Sequence, residues 1–225
     1  MSKPSNHPLQ PPADVLPLTP LQASMLATQP LATHPDLHLE QWVLQLREKL
    51  DPQRWRLAWQ WVWRRHPALR AGFAWNAQGT PYQWLIDAET VLPLELLDLS
   101  SDAQDAEGLW EGALAKDRTR GMDLSRPPGM RLLLARLAAD DWRACWTIHH
   151  ILVDGRSMTN VLREVFAAYD GTPPSPAIDS VDEAFQRHVL RLAEVDEAKI
   201  AAARQHWQRS EEHTSELQSP CNLVC

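Results

Sequence analysis

The chain has 225 residues, 44% of them hydrophobic and 23% charged, with a net charge of −7. That length can enclose one sizeable core, and an acidic balance without a Lys/Arg-rich block argues against nucleic acid as the main partner. No apolar run approaches the roughly 18–20 residues that span a bilayer, and Met1 to Pro12 is polar and proline-rich with no signal-peptide core, so a cytoplasmic location is the default expectation.

Residues 1–15 read as a disordered lead-in. Thr19 and Pro20 then suit the N-cap and first position of a short helix. Trp42, Leu44 and Leu46 alternate with Gln41, Gln45 and Arg47, as a half-buried strand does. Asp51-Pro52 is a second cap-plus-proline start, followed by Trp55, Ala58, Trp59 and Val62 at helical spacing, and Pro67 ends that helix. Leu69–Trp75 and Tyr82–Ile86 read as strands around an Asn76–Gly79 turn. Ala106–Lys116 reads as a helix. Met130–Leu137 and Trp142–Ile148 are apolar runs joined by Ala138–Asp141, a hairpin or sheet pair. Met158, Val161, Leu162, Val165, Phe166 and Tyr169 fall on one face of a helix. Gly171–Pro176 marks a linker, and Val181–Trp207 reads as one or two further helices. The order of elements is mixed α and β, without a strict βαβ rhythm or a glycine-rich phosphate loop.

The three cysteines form no disulfide framework: Cys145 lies in an apolar run, where an inert core thiol is expected, and Cys221 and Cys225 are at the C-terminus. From Arg209 the texture changes. Arg209–Ser219 and Asn222–Cys225 back-translate, in one frame, to a string resembling a common sequencing-library adapter. The expectation is therefore a non-native tail over 209–225.

The densest chemistry sits at His149-His150-Ile151-Leu152-Val153-Asp154-Gly155. Successive strand side chains alternate faces, so His150 goes with Ile148 and Trp146 while His149 goes with Thr147 and Cys145. The two cannot ligate one metal, and no further His/Cys cluster of zinc spacing lies nearby. One neutral imidazole beside a cleft can take a proton from an attacking amine or hydroxyl. Asp154 could orient it or pair with an arginine, Gly155 permits a tight turn and close backbone approach by substrate, and a helix starting near Ser157 leaves N–H groups nearby. Taken alone, the pattern fits equally two core or surface histidines beside a capping aspartate.

The run resembles the HHxxxDG signature of condensation domains of nonribosomal peptide synthetases. Three further segments agree in order. Pro17-Leu-Thr-Pro-Leu-Gln-Ala-Ser-Met-Leu26 is similar to that family's opening motif. Arg65-His-Pro-Ala-Leu-Arg-Ala-Gly-Phe73 is similar to RHExLRTxF, with Pro67 in place of Glu and Ala71 in place of Thr. Asp117–Ser125, with Pro128 and Arg131, resembles the stretch leading into the catalytic strand. Arg156 replaces the Trp or Val common after the glycine.

The resemblance implies a mixed α/β (α+β) fold: a chloramphenicol-acetyltransferase-like lobe, the N-terminal half of a two-lobed, V-shaped domain. Residues 16–172 would form that lobe, and 173–208 a linker and first helices toward a second. It implies amide-bond formation between carrier-bound thioesters, with His150 as catalytic base or positioner. His149 and Asp154 would be structural, Asp154 paired with an arginine for which Arg70 is the candidate, and Gly155 would line the channel. Partners would be carrier protein domains and adjacent synthetase domains, with no membrane or nucleic acid. The phosphopantetheine belongs to the carriers, so this chain binds no cofactor and no metal. The competing readings are an ester-forming, acyl-CoA-dependent acyltransferase of the same superfamily and an inactive docking lobe. The fragment by itself is expected to be inactive.

Overall fold

A four-stranded sheet forms the centre of the molecule. The computed structural model describes residues 15–29, 36–101, 105–172, 181–194 and 201–209. The expected lead-in up to Asp14, the linker over 173–180 and the tail beyond Arg209 lie outside them.

In the sheet, β1 (Leu39–Leu46) and β5 (Met130–Ala138) run antiparallel on either side of β6 (Asp141–His149), and β4 (Leu94–Asp98) runs parallel to β5. The sheet is therefore mixed, as expected. β5 and β6 form the anticipated hairpin. β4 was not anticipated. Its burial is patchy, with Leu96 half exposed, and Pro93 precedes it, so it lacks the alternation that marks a strand. A second, two-stranded sheet pairs β2 (Ala71–Trp75) with β3 (Pro81–Leu85) across the Asn76–Gly79 turn. The expected strand from Leu69 begins later because Pro67–Arg70 is a 3-10 turn closing the preceding helix. Gly72 faces Trp84 across this pair, and a Cβ there would lie 2.6 Å from the indole, so the close approach requires glycine.

Helices α2 (Pro52–Arg65) and α4 (Gly155–Tyr169) lie side by side and cover one face of the main sheet. Their apolar stripes, Trp55, Ala58, Trp59, Val62 and Trp63 on α2 and Met158, Val161, Leu162 and Val165 on α4, are all buried. Asp51 caps α2 by accepting from the Gln53 and Arg54 amides. Against these stripes the sheet presents Trp142, Ala144, Trp146 and Ile148 of β6, with Met130, Leu132 and Leu134 of β5. Trp59 and Trp146 rings lie 5.2 Å apart. Helix α3 (Ala106–Thr119) covers the other face through Ala106 and Trp110, over Leu133, Ala135, Leu137 and Cys145. Helix α1 (Pro20–Thr28) begins with the expected cap, completed into a capping box by Gln22. The predicted helices after the linker are α5 (Val181–Ala193) and a further helical stretch over 201–209.

Candidate active site

His149 is the last residue of β6 and His150 the first beyond it. Their backbones are held from opposite sides: the His149 amide donates to the Gly129 carbonyl (3.0 Å) and the His150 amide to the His38 carbonyl (2.8 Å). The following loop is pinned by Ile151 and Leu152, both buried in the core. Gln22 of α1 also touches it, donating to the Ile151 carbonyl at 3.4 Å.

The two imidazoles are held in opposite tautomers. His150 is half-buried, and its Nδ1 lies 2.8 Å from the Val153 carbonyl oxygen. A carbonyl only accepts, so Nδ1 carries the proton and the neutral ring keeps its lone pair on Nε2. In His149, Nδ1 accepts from the Ile151 amide (3.1 Å), which leaves the proton on Nε2. That Nε2 is buried without a hydrogen-bond partner among the described residues. Burial first, then the neighbouring His38 and His150, push the His149 pKa down to about 4. His149 is thus a neutral buttress of the turn, and half-buried His150 keeps the unprotonated nitrogen at Nε2.

Strand alternation placed His149 correctly, on the face of Thr147 and Cys145. It did not apply to His150, because the ladder ends at His149 and the chain turns. Asp154 caps α4, accepting from the Ser157 amide at 2.7 Å, so the helix begins at Gly155 rather than near Ser157. Ser157's hydrogen bonds hold the Asp154 carboxyl below the ordinary range. Among the described residues Asp154 makes no ion pair. The arginine expected to meet it, Arg70, is buried and bonds instead to the Ile86 carbonyl (2.8 Å) and to Asp182 of α5. A capping carboxylate is directed along its own helix, which explains the mismatch. At Gly155 a Cβ would meet nothing within 4 Å, and its φ is not positive. No turn within this chain requires that glycine, and the space above it is open.

The sequence pattern singled out Asp117 and Arg131 but gave them no role. The structure joins them at Thr147, two residues before His149 on β6. Arg131 Nε donates to Asp117 at 2.7 Å, Thr147 Oγ1 donates to the same carboxylate at 2.6 Å, and Gln41 adds a third donor at 3.2 Å. Burial alone would raise the Asp117 pKa. The Arg131, Thr147 and Gln41 hydrogen bonds and the arginine charge outweigh it and hold the carboxyl low. Cys145, beside Thr147, is pushed up to about 11 by burial, which fits the inert thiol expected. Among the described residues no group of His, Cys, Asp and Glu could hold a metal ion, and no helix is long and apolar enough to cross a membrane.

The family model described as "Condensation domain" matches residues 12–221. The chain belongs to the condensation-domain family. It is 37% identical over 159 residues to one of the linear gramicidin synthase proteins of Brevibacillus parabrevis, covering 69% of this chain and 3% of that protein. To bacitracin synthase 3 of Bacillus licheniformis it is 27% identical over 194 residues, covering 86% and 3% respectively. Among solved structures, the first condensation domain of the calcium-dependent antibiotic synthetase superposes with a TM-score of 0.71 at 24% identity, covering 92% of this chain and 48% of that one. The starter condensation domain of rhizomide synthetase gives 0.74 at 18% identity, covering 88% and 48%. The fold of this condensation-domain chain is therefore the chloramphenicol-acetyltransferase-like one expected. The chain spans a few per cent of the synthetases and about half of the solved domains.

Proposed function

We propose that this chain carries the histidine wall of a condensation active site, joining a carrier-bound acyl donor to a carrier-bound aminoacyl acceptor. The single observation that carries the reading is the fixed tautomer of His150, whose Nδ1–H is committed to the Val153 carbonyl. Nε2 is left to accept a proton from the acceptor's α-amine as that nitrogen attacks the donor thioester carbonyl carbon. The C–N bond forms, the tetrahedral intermediate collapses, the C–S bond breaks, and the proton passes to the departing thiolate. General-base assistance of this kind is worth about 10²–10⁴ in rate. The open space over Gly155 is where a thioester-bearing arm would approach. The arms are the carriers' phosphopantetheine, so carrier domains and neighbouring synthetase domains are the partners.

The test sets this chain in place of the matching segment of a gramicidin synthase and follows amide product on the acceptor carrier by mass spectrometry. We expect product that falls about 10²–10⁴-fold in His150→Ala. Undiminished product in that variant, or product with alcohol acceptors only, would overturn the reading.

A further inference from the structure

His38 is the one non-glycine residue with a positive φ (61°) among the described residues. It occupies the third position of a turn closed by the Leu39 amide donating to the Asp36 carbonyl at 3.0 Å. Glycine or asparagine is the usual occupant of a left-handed third position, since a side chain there meets steric resistance. A histidine in that place invites the question of what its ring does.

The ring makes two contacts. Thr28 Oγ1, at the end of α1, donates to the Met25 carbonyl (2.8 Å) and so accepts from His38 Nε2 at 3.2 Å. The other contact is edge-on against His149, with centroids 5.7 Å apart and planes 63° from parallel. The backbone of the same residue receives the His150 amide at 2.8 Å, one step past the last β1–β6 register pair, Leu39↔His149. The turn is anchored from a third side, where Arg118 of α3 pairs with Asp36 at 2.8 Å.

We infer that His38 is a positioning residue for His150. Its carbonyl fixes where the catalytic backbone leaves the sheet, and its ring braces His149, which in turn holds the Ile151 amide and the turn that aims the His150 imidazole. This rests on the reading of His150 as the base. The device also couples α1 to the site, because the same ring bonds to Thr28.

Two measurements on the full chain test it: amide hydrogen exchange of His149 and His150, and the imidazole ¹⁵N spectrum that reports each ring's tautomer. His38→Gly keeps the left-handed backbone and removes the ring. In that variant the His150 amide should exchange about two- to tenfold faster, the ratio implied by losing one edge-to-face ring contact. The His150 Nε2 signal should move from the unprotonated position toward a tautomeric average, while amides of α2 and α4 keep their protection. Thr28→Val leaves residue 38 untouched and should shift His150 in the same direction by less, and it decides the matter if His38→Gly does not fold. Unchanged exchange and tautomer at His150 in both variants would overturn the positioning role and leave the base assignment standing. An unsubstituted chain whose His150 carries its proton on Nε2 would sink the base assignment itself, and this proposal with it.

Discussion

The two faces of β6 divide the labour of the fold. One face presents Trp142, Ala144, Trp146 and Ile148 to α2 and α4, and its cross-strand neighbours are mostly apolar: Trp42, Leu44 and Leu46 on β1, Met130, Leu132 and Leu134 on β5, with Glu40 and Arg136 only at the two ends. The other presents Arg143, Cys145, Thr147 and His149; Cys145 joins the smaller apolar cluster under α3, and the rest meet charged or polar partners: Glu107 and Asp141 on Arg143, Asp117 on Thr147, His38 beside His149. The first face is tolerant in direction and large in area, so it supplies stability. The second carries a smaller apolar cluster and a set of directed hydrogen bonds, and the latter fix orientation. The histidine pair sits where the strand ends and both influences meet.

Truncating the apolar face should have the largest effect. Trp146→Ala removes a fully buried indole packed at a tilt against Trp59, and the expected loss is about 3–5 kcal/mol in urea unfolding. A loss below about 1 kcal/mol would mean that the two faces share the stabilising role.

Acid should strike the polar face. His149 is neutral in the fold, with its pKa at about 4, against about 6.5 when unfolded. The unfolded state binds the proton more tightly, so stability is full above about pH 6.5 and drains as pH falls toward about 4, by roughly 3 kcal/mol. His149→Asn keeps an acceptor for the Ile151 amide and removes the titration. Unfolding midpoints at pH 7 and 4.5 should converge in that variant, and a slope equal to the parent's would assign the acid sensitivity elsewhere.

Asp117→Asn tests the polar spine more gently. Losing the charge that receives Arg131 and Thr147 should remove about 1–3 kcal/mol. Because the folded Asp117 pKa is depressed, its contribution is complete above about pH 4 and is lost as pH falls below that. The variant should therefore differ from the parent at pH 7 and approach it in stronger acid.

The smallest effect belongs to Asp154. Asp154→Ala should lose about 1 kcal/mol of thermal-unfolding stability and Asp154→Asn almost nothing, since asparagine caps equally well. A large loss in Asp154→Asn would show that its charge has an ionic partner after all.

The elements legible in the sequence are those whose periodicity reports burial on one side: α2 after its Asp51-Pro52 start, α4 with its apolar stripe, and the β5–β6 hairpin. β4 escaped because a short parallel edge strand with exposed side chains carries no such signal. At the site, the run from His149 to Gly155 stood out through residue type and order. Its supports did not. His38 is 111 residues from His149 and the ion pair of Arg70 bridges 112, so the contacts that aim or anchor these groups belong to tertiary structure alone. Asp154 could be read either as an orienting acid or as a cap, and only the Ser157 hydrogen bond distinguished the two.

The pairing of Leu39 with His149 joins points 110 residues apart in the chain. At translation rates of about 5–20 residues per second, β1 leaves the ribosome roughly 5–20 seconds before its partner strand exists. Through that interval Trp42 and Leu44 have no sheet to cover them, and the carbonyl that will receive His150 has nothing to hold. The corner that holds the histidine pair can therefore form only after β6 has been made, and its yield depends on how well a solitary strand is kept from pairing with a stranger.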